Sequence, residues 1–225
     1  MREIGIDISS HQPQQITREI IENSDKIICM TATHKAILEL TGVKADISVL
    51  GSGIFDPYGS DEDMYAVCRR QITDEIDRMV NTVFIREYCC GDEKAIAEIE
   101  KECFSSPWSE KAIIGAIDNG TQFLIAEKAF KTVGYVSINT ALDEGYINNI
   151  AVKKEFRRQG IAEKLLKALD RKAKELSLAF LSLEVRQSNS GAIVLYEKCG
   201  YKNMGVRKNF YDAPKEDAVI MTKEG

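Results

Sequence analysis

The chain has 225 residues, 44% of them hydrophobic and 29% charged, with a formal net charge of −5, which gives room for one large globular domain or two small ones with a real core. No apolar run approaches the roughly 18 residues of a membrane span, and the start, MREIGIDISSHQPQQ, lacks the basic stretch and apolar core of a secretory signal, so neither a membrane nor secretion is expected and the expected compartment is the cytoplasm. Residues 1–80 carry 8 Lys+Arg against 14 Asp+Glu and the remainder 22 against 21, so neither part is a basic nucleic-acid-binding module and two unlike segments are joined near residue 80.

In chain order, 15–23 reads as a helix, 26–30 as a buried strand, 33–41 as a helix and 46–50 as a strand. A turn-rich stretch at 51–59 precedes a long helix over 61–80, with Met64, Val67, Ile72, Ile76 and Val80 at helical period. Alternating strands and helices predict a parallel α/β arrangement for 1–80. No Gly/Pro/Ser linker marks the junction at 78–82, so close packing of the two parts is expected. From Val83 the rhythm changes: 84–88 alternates like an edge strand, 92–103 is an amphipathic helix, and 122–127, 132–139 and 146–152 are three successive strands. A helix follows over 160–176, then a strand at 179–186, a helix at 189–199 with Gly200 as its C-cap, and strands at 201–208 and 217–223. The six cysteines form no CxxC pair and only two histidines are present, so reduced, mostly buried thiols are expected and no metal.

Two stretches carry chemistry. In 149–162, NIAVKKEFRRQGIA, a strand ends at Val152, a basic loop follows and a Gly-containing turn opens a helix. That geometry aims backbone N–H groups at one point on the positive end of a helix dipole, where a pyrophosphate binds. Gly160 permits close approach, small Ala162 avoids a clash, and Lys153, Lys154, Arg157 and Arg158 add positive field. A solvated basic loop is the plain alternative. In 183–201, LEVRQSNSGAIVLYEKCGY, Glu184 lies in an apolar strand and Tyr196 in the next helix. Taken singly, each is accounted for by a solvated strand face and by core packing. Together they suit amine acylation, Glu184 as base for the amine and Tyr196 as acid for the departing thiolate.

The segment with Arg157, Gly160 and Ala162 resembles the Arg/Gln-x-x-Gly-x-Gly/Ala signature of the GNAT acetyltransferase superfamily. The resemblance implies a mixed-sheet α+β domain over 82–225 and acetyl-CoA as co-substrate. Ile150, Ala151 and Val152 would pair by backbone with the pantetheine arm, and the N–H groups of Arg158, Gln159, Gly160, Ile161, Ala162 and Glu163 would hold the pyrophosphate. Within that superfamily, LEVRQSN, AIVLYEKCGY, FSSPWS at 104–109, RKNFY at 207–211 and EDAVIM at 216–221 resemble the bacterial ribosomal-protein alanine N-acetyltransferases (RimI-like). By that resemblance Glu184 is the base, Tyr196 the acid, Asn189 a CoA contact, and a ribosomal protein N-terminus the partner. Phe210 departs from the second aromatic, commonly Tyr, of that family. An α-amine, with a pKa near ~7.7–8.0, is freed at neutral pH for about 1.4 kcal/mol, a lysine amine for about 4.6, which permits the α-amine acceptor. A small-molecule amine acceptor and a non-catalytic binding scaffold are the competing readings.

Within 1–80, EIGIDISSH at 3–11, IICMTATHK at 27–35 and FDPYG at 55–59 resemble the later half of low-molecular-weight protein-tyrosine phosphatases. The resemblance implies a truncated parallel α/β segment with Asp56 as leaving-group acid and Tyr58 as cleft wall. The family's Cys nucleophile, with its Arg at the end of the same loop, is missing; the nearest lookalike, Cys29 followed by MTATH and Lys35, has Lys instead of Arg. A sheet without its central strand exposes apolar edges. Three remedies are open: packing on the acetyltransferase part, cover by a partner chain, or a natural chain that begins further upstream.

Overall fold

The computed structural model describes residue 10 and residues 12–24, 26–43 and 45–225; most of EIGIDISSH, from Glu3 to Ser9 with His11, lies outside the described residues. The chain divides into two compact units, Met1–Arg78 and Met79–Gly225.

The first unit contains helix α1 (Arg18–Glu22), strand β1 (Lys26–Cys29), helix α2 (Ala32–Glu39), strand β2 (Asp46–Val49) and most of helix α3 (Glu62–Asn81). Hydroxyls start the first two helices: Thr17 accepts from the Ile20 N–H and Thr31 from the His34 N–H, each at 3.2 Å. Strands β1 and β2 pair in parallel from Lys26↔Asp46 to Cys29↔Val49. So small a sheet shields little, and the apolar stripe expected to bury along α3 is largely open: Met64, Val67, Ile76 and Val80 keep 36%, 42%, 48% and 39% of their surface. Of the α3 side chains only Cys68 is buried, its thiol donating to the Phe55 carbonyl at 3.3 Å.

The second unit is one seven-stranded sheet with helices on both faces. Its elements are β3 (Val83–Glu87), α4 (Asp92–Cys103), α5 (Glu110–Asp118), β4 (Gln122–Lys128), β5 (Lys131–Ala141), β6 (Glu144–Val152), α6 (Ile161–Glu175), β7 (Phe180–Arg186), α7 (Ser190–Lys198), β8 (Lys202–Asp212) and β9 (Lys215–Glu224). The order across the sheet is β3-β4-β5-β6-β7-β9-β8, with β6 and β7 parallel and every other pair antiparallel. This is the mixed sheet expected for 82–225. Helix α5 is an addition; its signal was Ser109, whose hydroxyl accepts the Ala112 N–H at 3.2 Å, ahead of Ile113 and Ile117 on one face. Cys199, rather than Gly200, is the C-cap of α7, and Gly200 follows it in the left-handed conformation (φ 93°).

One core lies under α6, where Leu165, Leu166 and Leu169 are fully buried, each contributing on the order of 2 kcal/mol by removal from water. The other lies under α4 and α5, around Ile96, Ile99, Ile113, Phe123, Ile125 and Tyr135. A bulge in β6 lets one strand serve both. Ile138 pairs with Ile147 and Ser137 with Asn149, so Asn148 is extra and the alternation of side chains slips by one. Ile147, Ile150 and Val152 thereby pack on the α6 core, and Ala151 on the other. The thiols are all free, but only Cys29 and Cys68 are buried, whereas burial of most was expected; Cys89 and Cys90 sit exposed in the turn between β3 and α4.

Candidate active site

The site follows from where β6 and β7 part. They pair only from Glu144↔Phe180 to Ile147↔Leu183. Beyond that, β6 continues to Val152 on β5 and β7 to Arg186 on β9, each bonded on its far side. Parallel neighbours that stop pairing leave backbone donors and acceptors facing a gap, which an extended ligand with amide groups can fill. The bulged Asn148 is the first residue of β6 past the last pair, and its side-chain Nδ2 is buried without a hydrogen-bond partner among the described residues.

Beyond β6 the chain turns through a 3₁₀ segment, Lys154–Phe156, into α6. Gly160 caps α6 at φ 75°, and no side chain among the described residues bonds the helix start. The first-turn N–H groups, Ile161, Ala162 and Glu163, therefore have no acceptor inside the helix and point outward with the dipole. Arg158 is also left-handed, at φ 63°, a conformation that costs a non-glycine residue about 1–2 kcal/mol. A Cβ on Gly160 would meet nothing within 4 Å, so its requirement here is the backbone angle. The concave, donor-lined turn fits a pyrophosphate. The basic side chains are used differently from expectation. Arg157 folds back, its Nε donating to the Val152 carbonyl at 3.0 Å and its Nη2 to Cys103 Sγ at 3.2 Å. With the Cys103 thiol also donating to that carbonyl at 3.6 Å, both lone pairs of the Val152 oxygen are engaged, and only its N–H is left for the pantetheine role. Gln159 Oε1 is taken by Lys128 Nζ at 2.9 Å. Glu163 is held down to about 2 by hydrogen bonds from Lys167 and Lys198.

Glu184 is the first residue of β7 beyond its last pair with β6. Its side chain is exposed, and Arg207 Nη1 on β8 donates to its Oε1 at 3.4 Å. Tyr196 on α7 is buried, with its ring 5.8 Å from that of Tyr201. Burial pushes its phenol well above the ordinary range, and Tyr211 adds to the effect. Tyr211 also donates its hydroxyl to the Glu184 carbonyl at 3.2 Å, and its ring lies under the Arg186 guanidinium at 4.2 Å. Tyr211 is thus tied to the backbone at Glu184. Its only sequence signal was its place in RKNFY. Asn189 is the N-cap of α7, where its Oδ1 accepts the Ala192 N–H at 3.2 Å, which leaves its amide N–H groups for a ligand. Asp56 and Tyr58 occupy an exposed turn of the first unit, Asp56 Oδ1 accepting the Tyr58 N–H at 3.0 Å. Among the described residues, no group of His, Cys, Asp and Glu is arranged to hold a metal, and no helix is long and apolar enough to cross a membrane.

Residues 93–201 match the acetyltransferase (GNAT) family. A ribosomal protein bS18-alanine N-acetyltransferase from Escherichia coli (strain K12) is 36% identical over 134 residues, 58% of this chain and 89% of that protein. The crystal structure of the ribosomal-protein-S18-alanine N-acetyltransferase from Escherichia coli superposes with a TM-score of 0.60 at 32% identity, over 64% of this chain and 94% of that one. The fold is shared, at 22% identity and a TM-score of 0.54, by a GNAT family acetyltransferase from Elizabethkingia anophelis with acetyl-CoA bound, over 64% of this chain and 99% of that one.

Proposed function

Since the chain belongs to the GNAT acetyltransferase family and is an acetyl-CoA-dependent N-acetyltransferase, we propose that it acetylates the α-amine of an N-terminal alanine on a ribosomal protein in the cytoplasm. The observation that carries the reading is the place of Glu184, the first residue past the last β6/β7 pair, at the head of the gap. Bound acetyl-CoA supplies the acetyl group as a thioester. The chain's own residues do the rest. N–H groups from Arg158 to Glu163 and the dipole of α6 hold the pyrophosphate, while the facing edges of β6 and β7 orient the arm. Glu184 takes the proton that the ammonium must lose before it attacks. Tyr196, kept protonated by burial, gives its proton to the departing sulfur. Asn189 adds its free amide N–H groups.

The substrate choice is supported by the E. coli relative, whose name specifies the alanine of ribosomal protein bS18. The test is to incubate the protein with acetyl-CoA and a panel of N-terminal peptides and to locate the acetyl group by mass spectrometry. Acetylation of the α-amine of alanine-starting peptides is expected. Modification of lysine side chains only, or of small amines but no peptide, would overturn the assignment.

The domain reading is an acetyltransferase over 82–225 and a phosphatase-like segment without catalysis over 1–80. Support for the second part is chemical: Asp56 and Tyr58 have no nucleophile to serve, and Cys29 is buried at the end of β1.

A further inference from the structure

A buried carboxylate in the α4/α5 core takes no part in the chemistry above. Glu100 on α4 is 0% exposed. A carboxylate in that position is tolerated only when hydrogen bonds satisfy it from several sides. Three donors from three places do so. Oε1 accepts from the Tyr135 hydroxyl of β5 and from Asn149 Nδ2 of β6, the latter at 2.8 Å, and Oε2 accepts the Trp108 backbone N–H at 2.8 Å. Burial, reinforced by the Glu100 charge, pushes the Tyr135 phenol far above its ordinary range, so Tyr135 is a permanent donor.

What the carboxylate joins matters. Asn149 directly precedes Ile150, where β6 runs along the gap. Trp108 ends the loop that leads from α4 to α5. Near the loop's start, Ser105 Oγ donates to the Ala213 carbonyl at 2.8 Å, and Arg186 Nη2 donates to that same carbonyl at 2.9 Å. Arg186 closes β7, two residues past Glu184. The loop therefore spans from the β6 side of the gap to the β7 side, across its mouth on the α4/α5 face. The start of α6 packs on the opposite face, Ile161 being part of the other core. A thioester held by α6 enters from that face, and the amine is left the face that the loop crosses.

We propose that Glu100 is a positioning residue for the acceptor: its carboxylate ties the loop at 104–108 to the strand that flanks the thioester, and so sets where the amine stands relative to the acyl carbon. This rests on the acetyl-transfer reading of the gap. Displacing a reactant by about 1 Å lowers rates by roughly 10²-fold, which is the scale at which such an anchor acts.

Trp108 is the sole tryptophan of the chain, so its fluorescence reports on the loop without any need for turnover. Glu100→Gln has one acceptor oxygen for three donors. Its expected signature is at least about a twofold rise in acrylamide quenching of Trp108, an acceptor-peptide KM raised on the order of tenfold and a kcat/KM lowered by roughly 10²-fold, with the CoA Kd from calorimetry within about twofold of wild type. Ser105→Ala, at the exposed end of the same loop, is expected to move quenching and KM in the same direction by a smaller factor. Wild-type quenching and KM in a folded Glu100→Gln protein would overturn the proposal, as would a CoA affinity that falls as steeply as the peptide's. If Glu100→Gln does not fold, Ser105→Ala decides alone, unchanged quenching and KM counting against the anchor. A wild-type protein that acetylates no peptide would sink the substrate assignment, while the quenching still tests the hold of Glu100 on the loop.

Discussion

Glu184 and Tyr196 stand on successive elements; the Tyr211 hydroxyl bonds the Glu184 carbonyl, and the Tyr196 ring lies 5.8 Å from that of Tyr201. Glu184→Gln and Tyr196→Phe are each expected to lower turnover by on the order of 10²–10⁴, with CoA affinity close to wild type by calorimetry. A full-rate Glu184→Gln protein would assign proton removal to water or another group. Both residues were singled out in the sequence because a carboxylate inside an apolar strand and a Tyr one helix later suit the two protons that must move, the roles the family resemblance implies. Glu100 was not legible. It reads as one more acid in EIEKEC on an amphipathic helix, and only the donors brought by β5, β6 and the loop give it a role.

At the scale of elements, strand–turn–helix at 149–176 was readable because its signals are local: apolar alternation, a glycine, then a helical stripe. The left-handed angle of Gly160 makes a sharp prediction. Gly160→Val places a β-branched side chain at φ 75°, where L-residues lose about 1–2 kcal/mol or more. The turn should relax, its N–H groups should no longer converge, and CoA binding by calorimetry should be abolished while circular dichroism reports an otherwise folded protein. Undiminished affinity would remove the turn from the cofactor site. The bulge at Asn148 had no such signal, since an extra residue in one strand is defined only against its partner β5. The stripe on α3 shows the opposite failure: periodicity predicted a buried face, and four of its five members remain more than a third exposed, because a stripe says which side is apolar and not whether anything covers it.

At the scale of the molecule, the two units carry unequal chemistry. The chain as given is expected to have no phosphatase activity. Cysteinyl-phosphate catalysis needs a thiolate of lowered pKa in a phosphate-cradling loop, and none of the six cysteines has an Arg at the required spacing. Asp56 as a general acid contributes at most roughly 10⁴-fold, undetectable against a phosphate-ester hydrolysis that is among the slowest known. The measurement is p-nitrophenyl phosphate hydrolysis beside an Asp56→Ala control. Turnover that disappears in the control would mean that a nucleophile is present after all.

From the sequence alone came the change of character near residue 80, the acetyltransferase part with the turn proposed to hold the phosphates, and the proposed acid–base pair, because each rests on contiguous residues or on short patterns with local physics. The tertiary structure alone decided the rest. It parted β6 from β7 after Ile147 and Leu183, spent the Val152 carbonyl on Arg157 and Cys103, set the Tyr211 hydroxyl on the Glu184 carbonyl, and closed three donors on Glu100. These are pairings between residues up to 49 positions apart, and a hydrogen bond at that separation depends on how the sheet is ordered and where its register slips, which no run of neighbouring residues encodes.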